Sequence, residues 1–146
     1  MALLQAARTA QWPLLATFTF NFDDTIKDIN GVTKTFGAVV GDAVVCQAIN
    51  LPEGAVVVGG EVVVETAGVG PTVYTVSLGD SASATRYANA VNLLSAARTA
   101  LTLTGFRTSE NIRLTIASTV ANATAGKATV RVLYEIPNRA NETIPN

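Results

Sequence analysis

Apolar and polar positions alternate with period two through most of the 146-residue chain. Such alternation marks a strand with one buried face. In residues 15–22, Phe18, Phe20 and Phe22 alternate with Thr17, Thr19 and Asn21, which predicts a first strand with three aromatics on its core side. Residues 23–31 read as a polar loop with a tight hairpin turn at Asn30-Gly31. Residues 32–40 predict a short strand, Gly41-Asp42 a turn, and residues 43–51 another strand that carries Cys46. In residues 51–80 a Pro52-Glu53-Gly54 corner enters a Val-rich strand with an inner Gly59-Gly60. The chain turns at Gly68-Val69-Gly70-Pro71 and returns through residues 72–78 to Gly79-Asp80. These features predict a β-hairpin with Val62, Val64, Tyr74, Val76 and Leu78 facing in, and Glu61, Val63 and Glu65 facing out. A second hairpin is expected at the end. Ile112, Leu114 and Ile116 face in, a polar turn runs from Asn122 to Gly126, and the return places Ala128, Val130, Val132, Tyr134 and Ile136 opposite Lys127, Thr129, Arg131, Leu133 and Glu135.

Residues 80–100 are ambiguous by pattern. Asp80, Ser81 or Ser83 suits a helix cap, and Tyr87, Val91, Leu94 and Leu101 recur at helical intervals. Asn89, Asn92 and Ser95 favour a long loop with one helical turn equally. Residues 99–104 then predict a strand ending at Gly105. The Ala-Ala-Arg-Thr-Ala run at residues 6–10 recurs at 96–100, but its flanks do not align, so no duplication is assigned. The sum is an all-β, antiparallel β-sandwich of about eight strands. One cysteine, and a tryptophan ahead of every strand, do not fit the immunoglobulin pattern, and eight strands with long connections favour a jelly roll. The chain divides into an N-terminal arm (1–13), a jelly-roll domain (14–137) and a C-terminal tail (138–146).

Composition narrows the function classes. Charged residues are 14% of the chain, against about 25% in an average soluble protein. A surface so weakly charged tends to associate, and a dimer or trimer is expected. Glu61 interrupts the longest apolar stretch, so no membrane contact is expected. A net charge of −1 gives no basic footprint for nucleic acid. No basic segment precedes an apolar one at the N-terminus, so no secretory signal is read there. Asn-Ala-Thr at 122–124 and Asn-Glu-Thr at 141–143 match the glycosylation triplet by chance on that reading. Histidine is absent, which removes the usual nucleophile pairs and the commonest metal ligand. The Asp28 loop lacks the ligand spacing and closing glutamate of a calcium loop. No catalytic site, cofactor or metal is therefore expected. Cys46 lies in a strand-like run and reads as a small buried hydrophobe.

The Phe-rich first strand leads to Leu51-Pro52-Glu53-Gly54-Ala55-Val56-Val57 and a Val-rich strand with inner glycine. Val76-Ser77-Leu78-Gly79-Asp80 and the terminal segments around Leu114, Ala125-Gly126-Lys127 and Val132 follow. In this order, over residues 18–136, the chain resembles the small jelly-roll decoration or cement proteins of tailed-bacteriophage heads. The resemblance implies a homo-oligomer on the outer capsid surface of a virion, bridging subunits of the major capsid protein against internal DNA pressure. It brings no catalytic residues. A tail or head-completion component and a carbohydrate-binding jelly roll are the alternatives. Leu3, Leu4, Arg8 and Trp12 in the arm, and Asn138, Arg139 and Ile144 in the tail, are the expected contacts with the capsid or a neighbour.

Overall fold

A computed structural model describes residues 13–105, 107–108 and 110–137, with backbone only at Arg107 and Thr108. These residues form β1 (Leu14–Asn21), β2 (Thr25–Lys27), β3 (Thr33–Thr35), β4 (Val44–Ile49), β5 (Ala55–Val69), β6 (Val73–Gly79), β7 (Ala88–Asn92), β8 (Arg98–Ala100), β9 (Arg107–Thr108), β10 (Ile112–Thr119) and β11 (Ala125–Glu135). Eleven strands replace the expected eight: the strand expected at 32–40 shortens to β3, the short β2 and β9 are added, and β7 lies in the stretch whose pattern is ambiguous. One sheet has the order β1-β11-β5-β8, with β9 also on β5; the second runs β4-β10-β6-β7; β2 and β3 pair by themselves. All these ladders are antiparallel.

The face assignments hold. Val62, Val64, Tyr74, Val76, Leu78, Ile112, Leu114, Ile116, Ala128, Val130 and Val132 are buried in one core shared by both sheets. Phe20 is buried, and Phe18 and Phe22 pack against it half-buried. Phe36, just after β3, completes the aromatic cluster with ring centroids 5.0 Å from Phe20 and 6.1 Å from Phe18. Tyr134 is half-buried at the end of the row. Thr129 is buried on the nominally outward face, because Thr19 and Glu65 close over it with hydroxyl bonds of 2.8 and 2.7 Å.

Both long hairpins are corrected. β5 and β6 belong to different sheets, and so do β10 and β11. Their connections are arches that carry the chain across the core. Alternation specifies which side chains face inward; it does not specify the neighbouring strand, and Gly68-Val69-Gly70-Pro71 suits an arch as well as a turn. Gly70 has φ +110°, and a Cβ there would stand 2.5 Å from the Asn122 carbonyl, so the two arches pack together at one end of the sandwich. The tight turn at Asn30-Gly31 is a wider hairpin loop between β2 and β3, in which the Asp28 carboxylate accepts the N–H groups of Asn30 and Val32.

Residues 80–100 contain no helix. Asp80 accepts the N–H groups of Ala82 and Ser83 in a loop, and β7 and β8 follow. An interval of four, as between buried Tyr87 and Val91, keeps one face of a strand as well as of a helix, and a bulge adds an interval of three, with Ala88 and Val91 both buried. Ala90 has φ +47°, and the β6–β7 register shifts between Val76 and Leu78. The expected strand at 99–104 shortens to β8. β5 carries a bulge too, at Val58 beside Gly59-Gly60, where its register against β11 shifts. Val57 and Val62 are both buried although an odd number of positions separates them, so the strand changes face parity there.

Candidate interaction surfaces

The expected contacts Leu3, Leu4, Arg8, Trp12, Asn138, Arg139 and Ile144 lie outside the described residues. The roots of both terminal segments are described. β1 begins at Leu14, β11 runs to Glu135, and Leu14 stands opposite Tyr134. Both segments therefore leave from the same end of one sheet, on adjacent strands. Beside these roots Leu14, Leu15 and Leu133 are exposed. Leu15 is the cross-strand partner of Leu133, which faces Gly59 in turn. A Cβ on Gly59 would lie 3.1 Å from Leu133 Cδ1, so the glycine leaves room for the leucine to lie across the sheet. The signal of this patch in the sequence is Leu133, an apolar side chain at a position that alternation sends outward.

Further along the same outer face the side chains are charged and paired. Glu61 lies between Arg131, at 2.8 Å, and Arg98. Hydrogen bonds from Arg131, then from Arg98, hold the Glu61 carboxyl below its usual range. Glu65 binds Lys127 at 2.6 Å and the Thr129 hydroxyl, in that order of effect, and is lowered likewise. These ladders join β5, β8 and β11 across their outer surface.

The second sheet presents smaller, largely uncharged side chains: Val45, Thr75, Ser77, Thr115 and Ala117, all half-buried. At its β4 side a groove of about 540 Å³ is lined by Ile26, Lys27, Asp28, Ile29, Gln47 and Arg113. Burial alone would raise the Asp28 carboxyl. The Val32 and Asn30 N–H groups and Lys34, 3.4 Å away, outweigh it and hold the group low. That carboxylate is thus engaged by its own loop. Among the described residues no three of His, Cys, Asp and Glu gather as a metal site would require. At the arch end Val69, Val73 and Val120 are exposed, and Val120 adopts φ +74°, a strained conformation for a β-branched residue.

No family model and no curated protein matches the chain. Among solved structures, a chain of the cyanophage Pam1 capsid asymmetric unit is similar, with a TM-score of 0.54 and 26% identity. The match covers 93% of this chain and 94% of that one. A likeness over nearly the whole of both chains supports a phage capsid-related protein with a structural role in the virion.

Proposed function

We propose that the protein binds the outside of a phage capsid as a decoration or cement protein, stabilising the shell by bridging subunits of the major capsid protein. The whole-chain likeness to a cyanophage capsid component carries this reading. The sheet order supports it. With the short β2, β3 and β9 set aside, the other eight strands in chain order fall 1-8-3-6 and 2-7-4-5, the interleaving that a jelly-roll winding requires. The shared root of the two terminal segments supports it as well, since both can reach the same neighbour. The protein acts by binding, as a dimer or trimer, without catalysis or cofactor. A ligand that binds only the assembled shell stabilises it by RT ln(1 + [L]/Kd) per site, about 2.7 kcal/mol at a hundredfold excess over Kd. Many such sites offset internal pressure without any single strong contact.

Undecorated shells provide the test, mixed with the full chain and with a variant lacking residues 1–11. The expected outcome is saturable binding at a fixed copy number per shell, with raised heat resistance. Failure of the full chain to bind, or its localisation to the tail in micrographs, overturns the cement reading. Equal binding by the truncated variant overturns only the assignment of Leu3, Leu4 and Arg8 as contacts.

A further inference from the structure

A sheet edge is a row of backbone N–H and C=O groups ready to pair with another chain, and proteins blunt such edges by a few known devices. Three of the four edges of this sandwich are blunted. β8 has three residues, and β9 beside it has two. β7 is bulged at Ala90. β4 has a register shift against β10, and its outer side is covered: the Ile29 N–H donates to the Val45 carbonyl, and Lys34 Nζ donates to the Ala43 carbonyl. β1 differs from all three. It has eight residues, contains neither charge nor proline, and pairs with β11 from Leu14 to Asn21 without a register shift. Among the described residues no strand lies on its other side, and its edge is closed only at the last residue, where the Asn21 N–H donates to Asp24 Oδ2 and the Asn21 carbonyl accepts the Asp24 N–H.

We propose that β1 is the seat of a twofold contact, in which the edge of one copy pairs antiparallel with the same edge of a second copy. A second copy fits for three reasons. An edge without charge can face itself without repulsion. A twofold pairing covers both open edges at once and closes the assembly, where any other self-pairing leaves an edge free to propagate. Finally, inward and outward faces are preserved across the junction. Antiparallel partners share a face, so Phe18 and Phe20 must meet residues of their own parity. The fullest overlaps of Leu14–Asn21 that satisfy this put Thr17 or Phe18 on the axis. Either one extends the sheet through the axis, with exposed Leu15, Thr17 and Thr19 on one continuous outer surface. The inference rests on the self-association in the reading above and not on its capsid contact.

The test is sedimentation of the full chain over a range of concentrations, beside Thr17→Glu and Gln47→Glu. Thr17 stands opposite Arg131, so a carboxylate there is tolerated within one copy. Across the axis it meets its like, directly or on the diagonal. Gln47 is exposed on β4, and its Oε1 accepts from Asn111, which a carboxylate preserves. The expected result is a dimer of the 15.1 kDa chain, at least tenfold weaker association for Thr17→Glu, and no change for Gln47→Glu. Amide exchange through residues 14–21 should be uniformly slow in the dimer. In the Thr17→Glu variant alternate amides should become fast. A monomer or trimer of the unaltered chain overturns the proposal, as does a dimer unaffected by Thr17→Glu. Uniformly slow exchange in a monomer also overturns it, by placing a segment of the same chain on the edge. Because no shell is needed, these outcomes are independent of capsid binding.

Discussion

At the scale of single residues, position in the alternation decides consequence. Val132 is fully buried between the sheets, whereas Arg131 beside it points outward to Glu61, which keeps Arg98 as a second partner. Val132→Asp places an unpaired charge in the core and should cost more than about 4 kcal/mol, enough to abolish cooperative folding. Arg131→Ala should move the melting temperature by a few degrees at most. Equal effects in thermal melts would show the register to be wrong. Cys46 is completely buried on β4, and burial pushes its thiol up to about 11. The thiolate is the reactive form, so alkylation in the native state should be slow and should accelerate only on unfolding. Rapid labelling of folded protein would contradict the packing described.

At the scale of elements, adjacent glycines in β5 make a sharp comparison. Gly60 has φ +141°, and a Cβ there would lie 2.3 Å from the Arg131 carbonyl oxygen, which is backbone and cannot move aside. The neighbour that Gly59 would meet is the flexible end of Leu133. Gly60→Ala should therefore cost about 2 kcal/mol or more, and Gly59→Ala much less, as read from denaturant midpoints. The same stretch shows what the sequence could and could not reveal. Alternation alone assigns Val62, Val64, Tyr74 and Leu78 to the core, and all four are buried. Which strand lies beside which was not legible. β5 is joined to β6 by Gly70-Pro71-Thr72 yet pairs with β11, a choice made by packing between residues far apart in the chain. Bulges at Val58 and Ala90 change face parity, and the second puts Ala88 and Val91, three positions apart as on a helix, on one buried face. Of the docking surface, Leu133 was visible as an outward apolar side chain; the open edge of β1 was not, because an edge is a property of the finished sheet.

At the scale of the whole molecule, the response to pH follows from which groups titrate. Glu61, Glu65 and Glu110 are held below 4.5, and Asp28 and Asp80 below 3.8. For the glutamates the leading causes are Arg131, Lys127 and Ser81 respectively. For both aspartates burial acts upward and is outweighed by hydrogen bonds. A carboxylate lowered in the folded state contributes stability above its unfolded value and loses it as pH falls through the folded one. The chain has no histidine. The melting temperature should thus be flat from about pH 8 to 5.5 and fall steeply below about 4. A transition near neutrality would contradict this account. The ordering of strands also has a consequence in time. β1 is made first and its partner β11 last; the hydroxyl bond between Thr19 and Thr129 spans 110 residues. At ~5–20 residues per second a ribosome needs roughly 5–20 s to add them. During that interval β1 has no permanent neighbour on either side, and β5 lacks the strand that will separate it from β1. A nascent chain halted before Ala125 cannot close its first sheet and should be recovered as aggregate, whatever the stability of the finished sandwich.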